Sequence, residues 1–314
     1  MPELPEVETA RLEMDRVLTG KTIKAVYVDC ADLIVFDDAS PAAVQKLLTG
    51  AKVKATHRRG KYFWLELNRR PWPVLHLGMS GHVEVRSPEG WSRAKRRSPG
   101  ESKTTDEIPP YCKLLLTTTK GQQIAVTDPR RFGRIRLAKD PLHEAPISKL
   151  GPDPLFEFPA VAALQHTLGK RQAPIKSVLL DQAVFAGVGN WIADEILFQA
   201  RISPHRIAAS LSRVEVKRIR ARTLSIIRKA VTVGADYERF PSSWLFHDRR
   251  GQKERRLSFS GTRNSARHHR GPHERLGPRG SNLKRPSSFM SDCAMSRRPA
   301  AVSKAESTTG CGVI

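Results

Sequence analysis

The apolar positions change period once along the chain. In the opening stretch Val7, Ala10, Met14, Val17 and Leu18 recur at spacings of three, four and seven, which puts them on one face of an α-helix. Gly20 supplies a stop, and Pro5 near the start is tolerated because the N–H it lacks would be unpaired there. The period then drops toward two. Short runs with strand character begin at Thr22 (TIKAVYV), Leu33 (LIVF), Ala51 (AKVKATH), Lys61 (KYFWLEL), Pro73 (PVLHL), His82 (HVEVR), Cys112 (CKLLLTT), Gln122 (QQIAV) and Gly133 (GRIRL). One short helix, PAAVQKLLTG, ends at Gly50 and interrupts them. Many short strands between Gly/Pro turns predict a β-sandwich or barrel. The polar stretch from Ser87 to Pro110 reads as a long loop.

From about Gly151 the pattern turns helical. AVAALQHTLG, PIKSVLLDQA and NWIADEILFQA are separated by Gly169, by Gly187 and Gly189, and by Ser203–Pro204. A longer helix opens at Ser212, where Ser-x-x-Glu with Glu215 forms a capping box, and closes at Gly234. Beyond Asp248 the composition becomes rich in Arg, Gly, Ser and Pro with no apolar period, so this segment reads as disordered. The expected layout is an α+β multidomain chain. It has a β-sandwich with an N-terminal helix over 2–138, a linker over 139–152, a helical domain over 153–247 and a basic tail over 248–314.

Charge narrows the partners. The 314 residues carry a formal net charge of +23, and the residues from 248 onward supply 15 Lys+Arg against 5 Asp+Glu of it. Such a balance suits nucleic acid first and an anionic membrane surface second. No run of apolar residues is long enough to span a bilayer, and MPELPEVETA is neither a secretory leader nor a basic transit peptide. Cys30, Cys112, Cys293 and Cys311 are far apart, which excludes a sequence-local cysteine zinc finger. No metal or other cofactor is expected.

The usual catalytic constellations are missing: the chain has no P-loop, GxGxxG, HExxH or GxSxG. The N-terminus itself is the unusual candidate. Removal of Met1 would leave a secondary amine on Pro2, and an α-amino group with a pKa of about 7.7–8 is partly neutral near pH 7. Attack by such an amine on an aldehyde-level carbon gives an obligately cationic iminium, a strong electron sink. Glu3 and Glu6 are carboxylates placed to move protons at the same centre. Acidic residues in a first helical turn also simply complement the helix dipole, so these positions alone do not decide.

Five ordered motifs do. PELPEVET at Pro2–Thr9, RRGKY at Arg58–Tyr62, LHLGMSG at Leu75–Gly81, TDPRRFG at Thr127–Gly133 and GVGNWIADEILF at Gly187–Phe198 together resemble the formamidopyrimidine-DNA glycosylase (Fpg/Nei) family, and within it the plant-type members. The resemblance covers about Pro2 to Leu245. It implies a β-sandwich joined to a helix-two-turn-helix domain, with DNA between them. It also implies excision of oxidised bases such as 8-oxoguanine and formamidopyrimidines, followed by β,δ-elimination. By the same resemblance Pro2 is the Schiff-base nucleophile, Glu3 the acid/base at sugar ring opening, Glu6 the second N-terminal carboxylate and Lys61 a proton donor and phosphate contact. Met79, Arg130 and Phe132 match the residues that fill the hole left by an everted base. Asn190, with the backbone N–H groups around Gly187 and Gly189, matches a phosphate grip. His76, Arg171 and Lys176 are further DNA contacts, and Tyr111 stands near a position where the family has a histidine.

The resemblance stops after His247. Many bacterial members end in a four-cysteine zinc finger whose arginine assists δ-elimination, and plant-type members carry a zincless hairpin; neither is recognisable here. The implied partner is double-stranded DNA with oxidised bases or abasic sites, the implied state a monomer without membrane association. A nuclear location follows from the DNA substrate and the basic cluster Arg93–Arg97. A DNA-binding protein of the same fold with lost turnover is the alternative, and an RNA- or ribosome-associated role a third. An intact Pro2-Glu3 end favours the enzyme.

Overall fold

The computed structural model describes residues 1–36, 39–88, 90–93 and 108–250. Helix α1 (Leu4–Leu18) buries Val7, Ala10, Met14, Val17 and Leu18, the stripe that the spacing places on one face. At about 1.5–3 kcal/mol per large apolar side chain taken out of water, that stripe holds a helix too short to persist alone. Two antiparallel sheets follow. One has the strand order β1 (Ile23–Val28), β7 (Cys112–Thr118), β8 (Gln123–Thr127), β5 (His82–Ser87), β6 (Gly90–Arg93). The other runs β2 (Val53–Arg59), β3 (Tyr62–Leu67), β4 (Trp72–His76), β9 (Arg134–Ala138). Apolar residues of both sheets, of α1 and of α2 (Pro41–Leu48) form one core cluster.

Two local expectations fail, each for a readable reason. The run at Leu33 is not a strand: Leu33 and Ile34 are exposed while Val35 and Phe36 are buried. The Asp32 carboxylate accepts the Val35 N–H at 3.3 Å, a side-chain turn that competes with the extended ladder. The Ile135 N–H, donating to the Val35 carbonyl at 2.7 Å, ties this loop to β9. In the polar stretch after Ser87, residues 90–93 form β6, pairing with β5 from Glu84↔Arg93 to Ser87↔Gly90. Residues 94–107, with most of the predicted loop and of the Arg93–Arg97 cluster, lie outside the described residues, as does the tail from 251 onward.

The second half is helical, with α3 (Val161–Gly169), α4 (Ile175–Leu180), α5 (Asn190–Ala200) and α6 (Arg213–Thr232). The capping box at α6 forms as expected. The Glu215 N–H donates to Ser212 Oγ at 3.3 Å, and the Ser212 N–H to Glu215 Oε2 at 2.8 Å. These helices enclose a second core cluster that also takes in Leu4 from the start of α1. The N-terminus of the chain is therefore a shared element. The Leu4 N–H donates to the Gly187 carbonyl at 3.0 Å, and past α6 the chain returns so that Phe240, Trp244 and Phe246 pack around Trp191, with Tyr237 against Phe240.

Candidate active site

Glycine spacing explains why the two halves meet where they do. A Cβ on Gly187, whose φ is +89°, would stand 2.7 Å from Leu4 Cβ; one on Gly189 would overlap Glu3 Cδ and lie 2.5 Å from Oε1. Without side chains there, the Glu3 carboxylate seats on the N-terminus of α5. Glu3 Oε2 accepts the N–H groups of Gly189 at 2.8 Å and Ile192 at 3.2 Å, and Oε1 accepts that of Trp191 at 2.9 Å. The helix end expected to grip a phosphate with its backbone thus holds an internal carboxylate, for the same electrostatic reason. The Asn190 side chain is exposed at this point.

Glu6 completes the corner. Its Oε2 accepts the Glu3 N–H at 3.0 Å, while Oε1 accepts from Tyr237 Oη at 2.8 Å and Trp191 Nε1 at 3.1 Å. Glu3 is 2% exposed, and burial with the neighbouring Glu6 charge pushes its carboxyl up to about 7 against the pull of the backbone donors and Lys61. Glu6 is likewise raised by burial, opposed by its hydrogen bonds. Glu3 therefore changes protonation near neutral pH, where a proton donor and acceptor is most effective. A stability consequence follows. A carboxyl raised from 4.5 to about 7 on folding contributes stability that is full below the unfolded value and is lost as pH rises through the folded one. The loss is up to roughly 3 kcal/mol. Denaturant unfolding at pH 5 and pH 8 should show a smaller pH-dependent loss in Glu3→Gln than in the parent; equal losses would assign the titration elsewhere.

Lys61 is set by a tight hairpin. Register pairs Arg59 with Tyr62, so Gly60, at φ +59°, and Lys61 form the two-residue turn between β2 and β3. Burial lowers the Lys61 ammonium from its ordinary value, and the charges of Glu3 and Glu6 resist the shift, which places all three in one electrostatic group. Beneath the turn, the fully buried Arg58 guanidinium donates to Asp153 at 2.6 and 3.2 Å, to Glu8 at 2.8 Å and to the Gly60 carbonyl at 2.9 Å. Asp153 Oδ2 also accepts the Gly60 N–H at 2.8 Å. His76 joins this side through its ring, 4.7 Å from Tyr62. Burial, reinforced by Lys61, Arg134 and Arg136, pushes His76 down to about 4. Its Nδ1 accepts the Gly78 N–H at 3.1 Å, so any DNA contact it makes is that of a neutral imidazole.

Met79, Arg130 and Phe132 come together as a second group. Asp128, 2% exposed, is their hub: Oδ1 accepts from Ser80 Oγ at 2.6 Å and the Arg130 N–H at 3.2 Å, and Oδ2 accepts the Gly133 N–H at 2.6 Å. A Cβ on Gly78 would overlap the Phe132 carbonyl, so the 78–81 turn and the 128–133 loop lie back to back. Met79 and Phe132 are 41% and 47% exposed, which argues against ordinary core packing. The Arg130 guanidinium carbon lies 5.1 Å from the Phe132 ring centroid. Tyr111, 62% exposed with φ +60°, borders this group through its carbonyl, which accepts the Asp128 N–H at 3.0 Å.

Arg171 and Lys176 stand apart on the helical half. Lys176 Nζ is 2.7 Å from Asp194 Oδ1, and Arg171 is 3.9 Å from Asp181, so a phosphate would compete with a carboxylate at each. Among the described residues no cluster of His, Cys, Asp or Glu could hold a metal ion; Cys293 and Cys311 lie outside them. Sequence reasoning missed Trp191, Tyr237, Asp153 and Asp128 as supports of the two groups.

Known proteins share this fold and its domain order. The Formamidopyrimidine-DNA glycosylase N-terminal domain matches residues 1–135, and the Formamidopyrimidine-DNA glycosylase H2TH domain matches residues 150–242. The Formamidopyrimidine-DNA glycosylase of Arabidopsis thaliana is 40% identical over 250 residues, 79% of this chain and 63% of the plant protein, so the chain spans less than two thirds of that relative. The Rhodospirillum rubrum protein of the same name is 38% identical over 236 residues, 74% of this chain and 78% of its own. Among solved structures, the MutM (Fpg) protein from Thermus thermophilus superposes with a TM-score of 0.60 at 32% identity, covering 74% of this chain and 77% of its own. Lactococcus lactis Fpg in complex with abasic-site DNA gives 0.62 at 26% identity, covering 73% and 78%. By its fold, its motifs and these relatives, the chain belongs to the formamidopyrimidine-DNA glycosylase family.

Proposed function

We propose that the protein is a bifunctional DNA glycosylase and abasic-site lyase that removes oxidised purines, 8-oxoguanine and formamidopyrimidines, from duplex DNA. The observation that carries the reading is the corner at which Glu3 and Glu6, next to Pro2 in the chain and in the field of Lys61, seat on the N-terminus of α5. With Met1 removed, the Pro2 amine attacks C1′ of the everted nucleotide. The C1′–N bond breaks, its electron pair leaves with the base, and the base takes up a proton. The amine loses its own proton. Ring opening then breaks C1′–O4′; O4′ takes the proton that Glu3 holds below about pH 7, and the iminium is left at C1′. Loss of a C2′ proton expels the 3′ phosphate, and a second elimination expels the 5′ phosphate. Lys61, with its lowered pKa and its place beside Glu3, is suited to move a proton in these steps.

Residues 2–138 supply the nucleophile and the group that fills the vacated stack. Residues 153–247 supply the second wall of the DNA cleft. Met79 and Phe132 present apolar surface and Arg130 a guanidinium, the equipment needed to offset an unstacking cost of a few kcal/mol. Catalysis in this scheme uses no metal, and the DNA substrate makes the nucleus the proposed location. The decisive experiment is borohydride trapping on duplexes carrying 8-oxoguanine or an abasic site. The chain with Met1 removed should give a covalent adduct, and the chain with Met1 retained should give none. An adduct that survives retention of Met1 would move the nucleophile away from Pro2. Binding with no adduct in either form would favour a DNA-binding protein without turnover, and chelator should leave the adduct yield unaltered.

A further inference from the structure

Two adjacent arginines in the 128–133 loop are used differently. Arg130 lies over Phe132. Arg131, its side chain half-exposed, instead turns toward the loop after β1, where its Nη2 is 3.0 Å from Asp32 Oδ1. Asp32 is 3% exposed and belongs to the turn after β1, which the family motifs do not include. Its other oxygen lies 2.7 Å from Lys113 Nζ, an ion pair without hydrogen-bond direction, and Lys113 is 2.7 Å from Asp29 as well. Burial would push Asp32 up, but Arg131 and Lys113 outweigh it and hold the carboxyl below its ordinary range. Arg131 adopts φ +60°, a left-handed conformation that a side chain disfavours, so something must hold it there.

We propose that Asp32, clamped by Lys113 and paired to Arg131, is a positioning residue that fixes the Arg130–Phe132 loop in the shape that fills the space of an everted base. The proposal rests on the void-filling reading of Met79, Arg130 and Phe132. Asp128 ties the ends of that loop to the 78–81 turn through Arg130 N, Gly133 N and Ser80, and Arg134 Nη1 donates to the Arg131 carbonyl at 3.2 Å, but neither holds the Arg131 side chain. The Asp32–Arg131 pair governs the middle. It also draws one guanidinium onto the protein while its neighbour stays over Phe132.

The test uses the full chain with Met1 removed and a duplex whose lesion faces 2-aminopurine, a base that fluoresces when unstacked. Arg131→Ala removes the stay but leaves the buried Asp32–Lys113 pair, so folding is preserved; Asp32→Asn removes it from the other side. Each should slow single-turnover excision about tenfold, the scale expected when a left-handed residue loses what holds it. Cleavage of a preformed abasic site should suffer far less, the fluorescence change on binding should shrink, and Arg131→Lys should recover part of both. The double variant should be no worse than either single one. Phe132→Ala runs alongside. If it impairs excision and fluorescence while Arg131→Ala and Asp32→Asn do neither, the positioning role is wrong and the void-filling reading stands. If Phe132→Ala changes nothing, both fall.

Discussion

Alanine at position 189 is expected to lower base excision by about 10²- to 10⁴-fold while the chain still folds, the range attributed to a positioned proton-transfer group. Gly189 has extended backbone that alanine also accepts, so the effect is not conformational. The added methyl would occupy the place of the Glu3 carboxylate. Glu3 must then leave the N–H groups of residues 189, 191 and 192, and under the proposed mechanism the proton donor for ring opening is displaced with it. An unmet buried donor costs about 1–3 kcal/mol, part of which entering water recovers. Single-turnover excision and thermal unfolding, measured together, separate the two effects. If Gly189→Ala excises within a fewfold of the parent, the seat on α5 is not where Glu3 works.

Replacing Asp153 by alanine should cost about 3–5 kcal/mol of stability, because it strands a guanidinium that is wholly buried. At roughly 2–4 °C per kcal/mol for a unit of this size, the thermal midpoint should fall by about 6–20 °C. The contrast is with Glu13 and Arg16, an ion pair at similar distance whose arginine is 62% exposed; breaking it should cost under about 1 kcal/mol. Replacing Arg58 by methionine in the Asp153→Ala background should recover part of the loss, since the uncompensated charge goes with it. A fall of the midpoint by only a degree or two would mean that Glu8 alone satisfies Arg58. Activity should drop as well, because Asp153 and Arg58 hold both sides of Gly60 and so aim Lys61.

What can be read from residues alone follows a physical division. Periodicity is a local property, so α1, the alternating strands and α6 with its capping box are all visible as spacing. The run at Leu33 shows the limit. Its apolar residues fit a strand, but the buried carboxylate just before it supplies a competing turn, and nothing in the spacing reveals that Asp32 is buried. Glu3, Glu6 and Lys61 can be named because motifs mark them. The partners that give them their chemistry lie far off in sequence: Trp191 and Tyr237 for Glu6, Asp153 for the Lys61 turn. The glycines at 187 and 189 are legible as glycines but not in their use, since sequence cannot say whether the anion at a helix end is a phosphate or the chain's own carboxylate.

The hydrogen bond from Gly189 to Glu3 closes a loop across 186 residues, and this has a bearing on when the protein becomes competent during its synthesis. The ribosome delivers the reactive end first and its seat much later, by roughly 10–40 s at 5–20 residues per second. Throughout that interval Glu3 lacks the backbone donors that seat it and the burial that raises its pKa to about 7, and so behaves as an ordinary surface carboxylate. The sandwich can gather its own core meanwhile, because the buried residues of that cluster extend no further along the chain than Ile135. Docking of α5 onto α1 is therefore the step that completes the seat of Glu3. A nascent chain interrupted before it would, under the proposed mechanism, carry the nucleophile without its seated proton donor.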